Sequence, residues 1–182
     1  MNNDTTILLD NEKFKQFIDD KETNSVFLLA TVQMQNFKNM FKILKNVFKS
    51  VTLKICSVGI ILYKCEWSKT SKVKAGEISS LFYLSGIFDK TPLILGDRCE
   101  KYNCVDTIFV NLDTSELERI NKDITKDCFM YMFINKDNYN TETNTASSIH
   151  CYIINEHENE NENENKNENK NNMILIEKII NC

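Results

Sequence analysis

The 182-residue chain has one proline, four glycines and two histidines, and each scarcity removes a possibility. His150 stands beside Cys151 in an apolar stretch that reads as a strand, and His157 heads a polar run, so neither is placed as a base or a metal ligand. No apolar run approaches the roughly 18 residues needed to cross a membrane, and the polar first 25 residues carry no secretory signal. Seven cysteines (Cys56, Cys65, Cys99, Cys104, Cys128, Cys151, Cys182) are odd in number and scattered through apolar stretches, which points to reduced thiols in the nucleus or cytosol. Cys99 and Cys104 lack a second pair at metal spacing, so no zinc site is expected. Nothing fixes Asp97 with Glu100, or Asp106 with Asp113, around a divalent ion. With no nucleophile, base or metal set, the expectation is a protein without catalytic residues, cofactor or metal.

Charge of one sign is also missing. The formal net charge of -4 is accounted for by Glu156 to Lys170, where six Glu face two Lys, and the remainder balances at 20 against 20. A basic surface can arise only by segregating charges onto one side. The low Gly and Pro content goes with abundant Asn, Lys and Ile, a composition that inflates lysine for reasons unrelated to function, so lysine counts must be discounted.

What is present is a periodic pattern. At 42% hydrophobic and 26% charged, the chain can bury one sizeable core. The stretch Met34 to Ser50 reads as a helix in which Phe37, Phe41, Leu44 and Phe48 fall in one sector of about 60°, at about 100° per residue. Lys38, Lys42, Lys45 and Lys49 form a second stripe about 110° away, uninterrupted by acid. Lysines opposite an apolar face are most often a solvated surface. The alternative is a track for phosphates, driven by counterion release.

Around that helix the pattern predicts strands at Val26 to Gln33, Val51 to Cys56, Val58 to Cys65 and Ser79 to Phe88, with Gly59 in the tight turn. Asp89 to Asn103, which holds Pro92, reads as an inserted loop. A second unit follows in the same order: strand Cys104 to Leu112, a helix capped by Asp113 or Thr114 with Leu117, Ile120 and Ile124 at helical spacing, then strands at Cys128 to Asn135, Ser148 to Asn155 and Met173 to Ile180. Residues 156–172 are a low-complexity Glu/Asn insertion that no core can use. Residues 1–25 are a polar arm, expected to be partly disordered, with a short helix at Glu12 to Asp20. Residues 26–182 are then a single α+β domain of two strand-helix-strand-strand-strand units. Two helices side by side on one face of a curved antiparallel sheet would bring the four lysines near Arg119, Lys122 and Lys126, with Glu118 and Asp123 diluting the patch.

This arrangement resembles a domain of the sliding-clamp family typified by PCNA. The likeness rests on Ala30 in the first strand, Phe41-Lys42-Ile43-Leu44-Lys45, the Ile55 to Leu62 hairpin, and Val110-Asn111-Leu112 before the second helix. Leu81 to Phe88, ending in Gly-Ile-Phe, the polar arm, and Met173 to Asn181 resemble the Rad-one subunit of the heterotrimeric checkpoint clamp; PCNA itself and the other checkpoint subunits are the alternatives. The resemblance covers one of the two domains such subunits have. It implies a nuclear, non-enzymatic segment of a DNA-encircling ring acting in the damage checkpoint and repair. Its implied partners are duplex DNA held without sequence preference, other clamp subunits and a clamp loader. Lys38, Lys42, Lys45, Lys49, Arg119, Lys122 and Lys126 would face DNA, and Met173, Ile174, Leu175, Ile176 and Ile179 would form the edge strand toward the next subunit. A replication processivity clamp, and an α+β protein-interaction domain without DNA contact, are the competing readings.

Overall fold

The computed structural model describes residues 5–32, 34–68, 92–95, 101–125, 128–157 and 172–182. In chain order the strands are β1 (Thr5–Asp10), β2 (Ser25–Thr31), β3 (Phe48–Cys56), β4 (Gly59–Trp67), β5 (Pro92–Leu95), β6 (Lys101–Cys104), β7 (Ile108–Asp113), β8 (Phe129–Asn135), β9 (Tyr139–Asn140), β10 (Thr145–Ala146), β11 (Ser148–His157) and β12 (Asn172–Asn181). The helices are α1 (Asn11–Thr23), α2 (Met34–Val47) and α3 (Thr114–Asn121), with a 3-10 turn at Lys136–Asn138. The strands form two six-stranded sheets, ordered β1-β12-β11-β8-β2-β6 and β5-β4-β3-β7-β10-β9. All described pairings are antiparallel except β7 with β10.

One core joins both sheets to α2 and α3. Phe37, Phe41 and Leu44 from α2 meet Leu117 and Ile120 from α3, with Leu53, Ile55, Val110 and Leu112 below them from the second sheet and Phe27, Met132 and Ile149 from the first. The 3.6-residue period on each helix and the two-residue period on each strand aim these side chains at one volume. Burying a side chain of this size is worth about 1.5–3 kcal/mol, so the shared core fixes the helix pair onto the sheets. Thr114 clinches the seam, its hydroxyl donating to the Phe48 carbonyl at 2.7 Å. Asp113 caps α3: Ser115 donates to its carboxylate from both backbone and hydroxyl, holding that carboxyl below the usual range.

Three expectations shift. Helix α2 ends at Val47, three residues early, because Phe48 turns into the core and opens the β3–β4 ladder opposite Trp67. Lys49 therefore belongs to a strand, not to the helical stripe. The region 89–103 is not simply a loop: β5 adds to β4, and β6 adds to β2. The strand expected over Cys104 to Leu112 is split, because the chain crosses from the first sheet to the second between Cys104 and Ile108. The strand expected at Ser79 to Phe88 and most of the Glu/Asn insertion lie outside the described residues.

The described part of the polar arm, residues 5–25, holds β1 and α1. Asp10 accepts from the Lys13 backbone at 2.9 Å and so starts α1. Phe14, Phe17 and Ile18 then pack on the second face of the first sheet, against Tyr131, Phe133, Tyr152 and Leu175. The Phe17 and Tyr152 rings meet edge-on at 5.1 Å.

Candidate nucleic-acid interface

Helices α2 and α3 lie against each other, and a cleft of about 370 Å³ opens along their outer seam. Lys38, Lys42 and Lys45 line it from α2, and Lys122 from the end of α3, with Glu118 and the amides of Asn46 and Asn121 between them. Apolar residues at positions 37, 41, 44 and 47 pull one side of α2 into the core, which leaves the lysines on the flank that meets α3. Four of the seven expected cations thus share one surface.

Their states differ. Lys38 is half-buried and donates to the Ile124 carbonyl at 3.0 Å, tying the exit of α3 to α2. Lys45 pairs with Glu118 at 2.5 Å, an exposed bridge worth at most about 1 kcal/mol. The Lys45 hydrogen bond, aided by the positive charges of Lys45 and Lys122, holds the Glu118 carboxyl below the ordinary range, so it stays ionised and cancels part of the local field. The side chains of Lys42 and Lys122 are exposed and make no hydrogen bond or ion pair among the described residues. These two are the cations open to an anion.

The other three stand apart. Lys49, on β3, reaches Glu66 at 3.4 Å. Arg119 turns inward: its guanidinium donates to the Ile179 carbonyl and to Glu116, and only 14% of the side chain is exposed. It staples α3 to β12 and does not face outward. Lys126 lies outside the described residues. The surrounding acids are not all diluents either, since Asp123 is bonded to the buried Lys178 of β12. Lys178 gives no pattern signal of its own, standing next to Glu177 in an otherwise apolar strand; only the packing of α3 over β12 reveals its role.

The strand expected at a sheet edge is interior over residues 172–177, and beyond them Ile179 has only β11 beside it. β12 lies between β11 and β1, and β1 pairs with it from Thr5↔Glu177 to Asp10↔Asn172. Met173, Ile174, Leu175 and Ile176 thus have strand neighbours on both sides, and Leu175 is also covered by α1's apolar side chains. The arm supplies the missing partner because Ile7 and Leu9 alternate in step with the sheet's apolar face.

A crystal structure of proliferating cellular nuclear antigen from Entamoeba histolytica matches this architecture with a TM-score of 0.51 at 14% identity, over 87% of this chain and 49% of that one. The fold is that of a sliding clamp. A PCNA2–PCNA3 complex from Sulfolobus tokodaii also matches, with a TM-score of 0.47 and 12% identity over 82% of this chain and 45% of that one. The chain therefore spans about half the length of the clamp chains it matches. No protein-family model and no curated protein matches it. In clamp-fold terms, the repeat legible in the sequence corresponds to β2–α2–β3–β4 and β7–α3–β8 with their following strands, and the helix pair carries the lysine cleft.

Proposed function

We propose that this chain is a non-enzymatic segment of a DNA-encircling checkpoint clamp in the nucleus, with the α2–α3 surface turned toward duplex DNA. The observation that carries the reading is the gathering of Lys38, Lys42, Lys45 and Lys122 in one cleft on the helix pair of a clamp fold. Lysines on helices contact phosphates without reading bases, the kind of contact a sliding protein needs. Lys42 and Lys122 make the principal contacts, Lys45 contributes when Glu118 releases it, and Lys38 mainly holds the cleft's shape. Lys49 is a peripheral contact and Arg119 a structural one. Other clamp subunits complete the ring and a loader opens it. The checkpoint assignment rests on the resemblance of the arm and of Met173 to Asn181 to the Rad-one subunit; a replication clamp is the alternative.

Binding of the full chain to a labelled 30-base-pair duplex, followed by anisotropy at low salt, tests the surface. The double variant Lys42→Ala/Lys122→Ala should lose about tenfold or more in affinity, while Lys49→Ala changes it by less than about threefold. Undiminished binding by the double variant would return the lysines to an ordinary solvated face. Co-purification from cells separates the roles: recovery with checkpoint-clamp subunits supports the proposal, and recovery with replicative polymerase alone favours the alternative.

A further inference from the structure

The two sheets treat their outer faces differently. The first hides its second face under α1, whereas the second presents Thr52, Lys54, Ile61, Tyr63, Lys64, Phe109 and Asn111 outward. Register fixes this set: Lys54 lies between Ile61 and Phe109, and Thr52 between Lys64 and Asn111, so each trio shares a face. The alternate residues Leu53, Ile55, Val110 and Leu112 point into the core.

A bulge breaks the β3–β4 ladder at this point. Thr52 pairs with Lys64 and Leu53 with Leu62, leaving Tyr63 as the extra residue. Bulges re-aim side chains. Here the effect is to bring the Tyr63 ring to 5.1 Å from that of Phe109, tilted at 59°, while leaving Tyr63 63% exposed. Phe109 buttresses it from β7, across the intervening β3, so the ring is held rather than free.

Charge and hydrogen-bonding groups flank the ring. Lys64 is exposed beside it and Lys54 half-buried across the strand, and no described carboxylate is bonded to either. On the other side, Thr52, Phe109 and Asn111 run into an open cleft of about 900 Å³ that also holds Asn138 and Asn140. Asp137 and Glu142 in that cleft disfavour phosphate there but accept from amino groups. A lysine on β3 and a lysine on β4 bracket the exposed ring, and amides lie beyond it on the β7 side, a combination that matches a nucleotide chain: phosphates, a base to stack, and base edges to bond.

We propose that the outer face of the second sheet binds single-stranded nucleic acid, with one base stacked on Tyr63, its neighbouring phosphates on Lys54 and Lys64, and a second base edge in the Asn111–Asn138 cleft. This site shares no residue with the α2–α3 cleft and does not depend on the duplex reading. It would let one chain hold a strand on a surface separate from the helices.

Anisotropy of a labelled 20-nucleotide oligothymidylate with the full chain is the direct measurement. Tyr63→Ala should weaken binding about 5- to 100-fold, while Tyr63→Phe, which keeps the ring, stays within about twofold. Duplex binding by Tyr63→Ala should be unchanged. Lys54→Ala/Lys64→Ala should weaken binding and flatten its salt dependence. Ultraviolet crosslinking should map to the β4 or β7 peptides. Because Tyr63 is largely solvent-facing, its variants should keep the wild-type circular dichroism spectrum, so a loss of binding is not a loss of fold. Unchanged oligothymidylate affinity in Tyr63→Ala, or crosslinks confined to α2 and α3, would overturn the proposal. Equal competition by an oligoglutamate peptide of matched charge would also overturn it and assign the face to an acidic protein partner.

Discussion

Arg119 and Lys42 are both cations near one seam, yet they do opposite work, and the difference lies in what surrounds them. Lys42 projects from the middle of α2 into solvent beside the cleft. Arg119, in the last turn of α3, lies over β12, where a backbone carbonyl and Glu116 take up its donors. Hydrogen bonds from a charged donor to a partly buried acceptor contribute about 1.5–3 kcal/mol. Arg119→Ala should therefore lower stability by about that amount, seen as an earlier midpoint in urea unfolding with the slope unchanged, and leave duplex affinity of the folded protein near wild type. A variant as stable as the parent but weak on duplex would show that Arg119 faces DNA after all. Sequence spacing puts Arg119 and Lys122 on the same short helix but cannot say that β12 passes beneath one and not the other. Lys178 and Asp123 were illegible for the same reason: a buried ion pair between segments 55 residues apart leaves no local pattern.

Elements with a strong period were readable, and their ends were not. Helix α2, β8, β11 and β12 stand where apolar spacing puts them, within a few residues. The end of α2 was misplaced because Phe48 fits the helical stripe as well as it fits the strand, and the β3–β4 ladder decides the matter. The helix expected at Glu12 to Asp20 stands as α1, whereas β1 left no pattern because it is at most half-buried and pairs with β12, a partner far along the chain. That dependence makes the β1–α1 unit soft: among its described residues only Ile18 is buried. Truncating Ile18 to Ala should cost about 2–4 kcal/mol within the β1–α1 unit. Hydrogen exchange should then quicken in residues 5–23 and in the β12 amides of residues 172–177, while β8 and β11 keep their protection. Uniform loss of protection would mean that the arm and the core unfold together. If the arm does open separately, β12 becomes a free apolar edge, the condition that assembly through Met173 to Ile179 would need.

At the scale of the molecule, the proposed DNA contact requires that the fold of an overall acidic chain sort its charges. The excess acid belongs to the Glu/Asn run, and the helix pair collects four lysines against Glu118. The order of elements, and hence the clamp-like repeat, could be read from alternating strand and helix patterns; the division into two sheets could not, since it depends on long-range pairing of β6 with β2 and β1 with β12. The number of open cations also sets how strongly one chain should respond to salt. Each neutralised phosphate contributes about -0.9 to the slope of log affinity against log salt, so engagement of two to four lysines gives a slope of about -2 to -4. Between about 50 and 200 mM salt, duplex affinity should fall roughly 10- to 250-fold. On the proposed reading, a slope this shallow predicts that a single chain grips weakly and that firm retention needs several such surfaces around one duplex. A titration of duplex binding against salt decides this. Removing Lys42 and Lys122 should bring the slope toward zero by about 2, whereas a parent slope steeper than about -6 would place the main contacts outside the α2–α3 cleft.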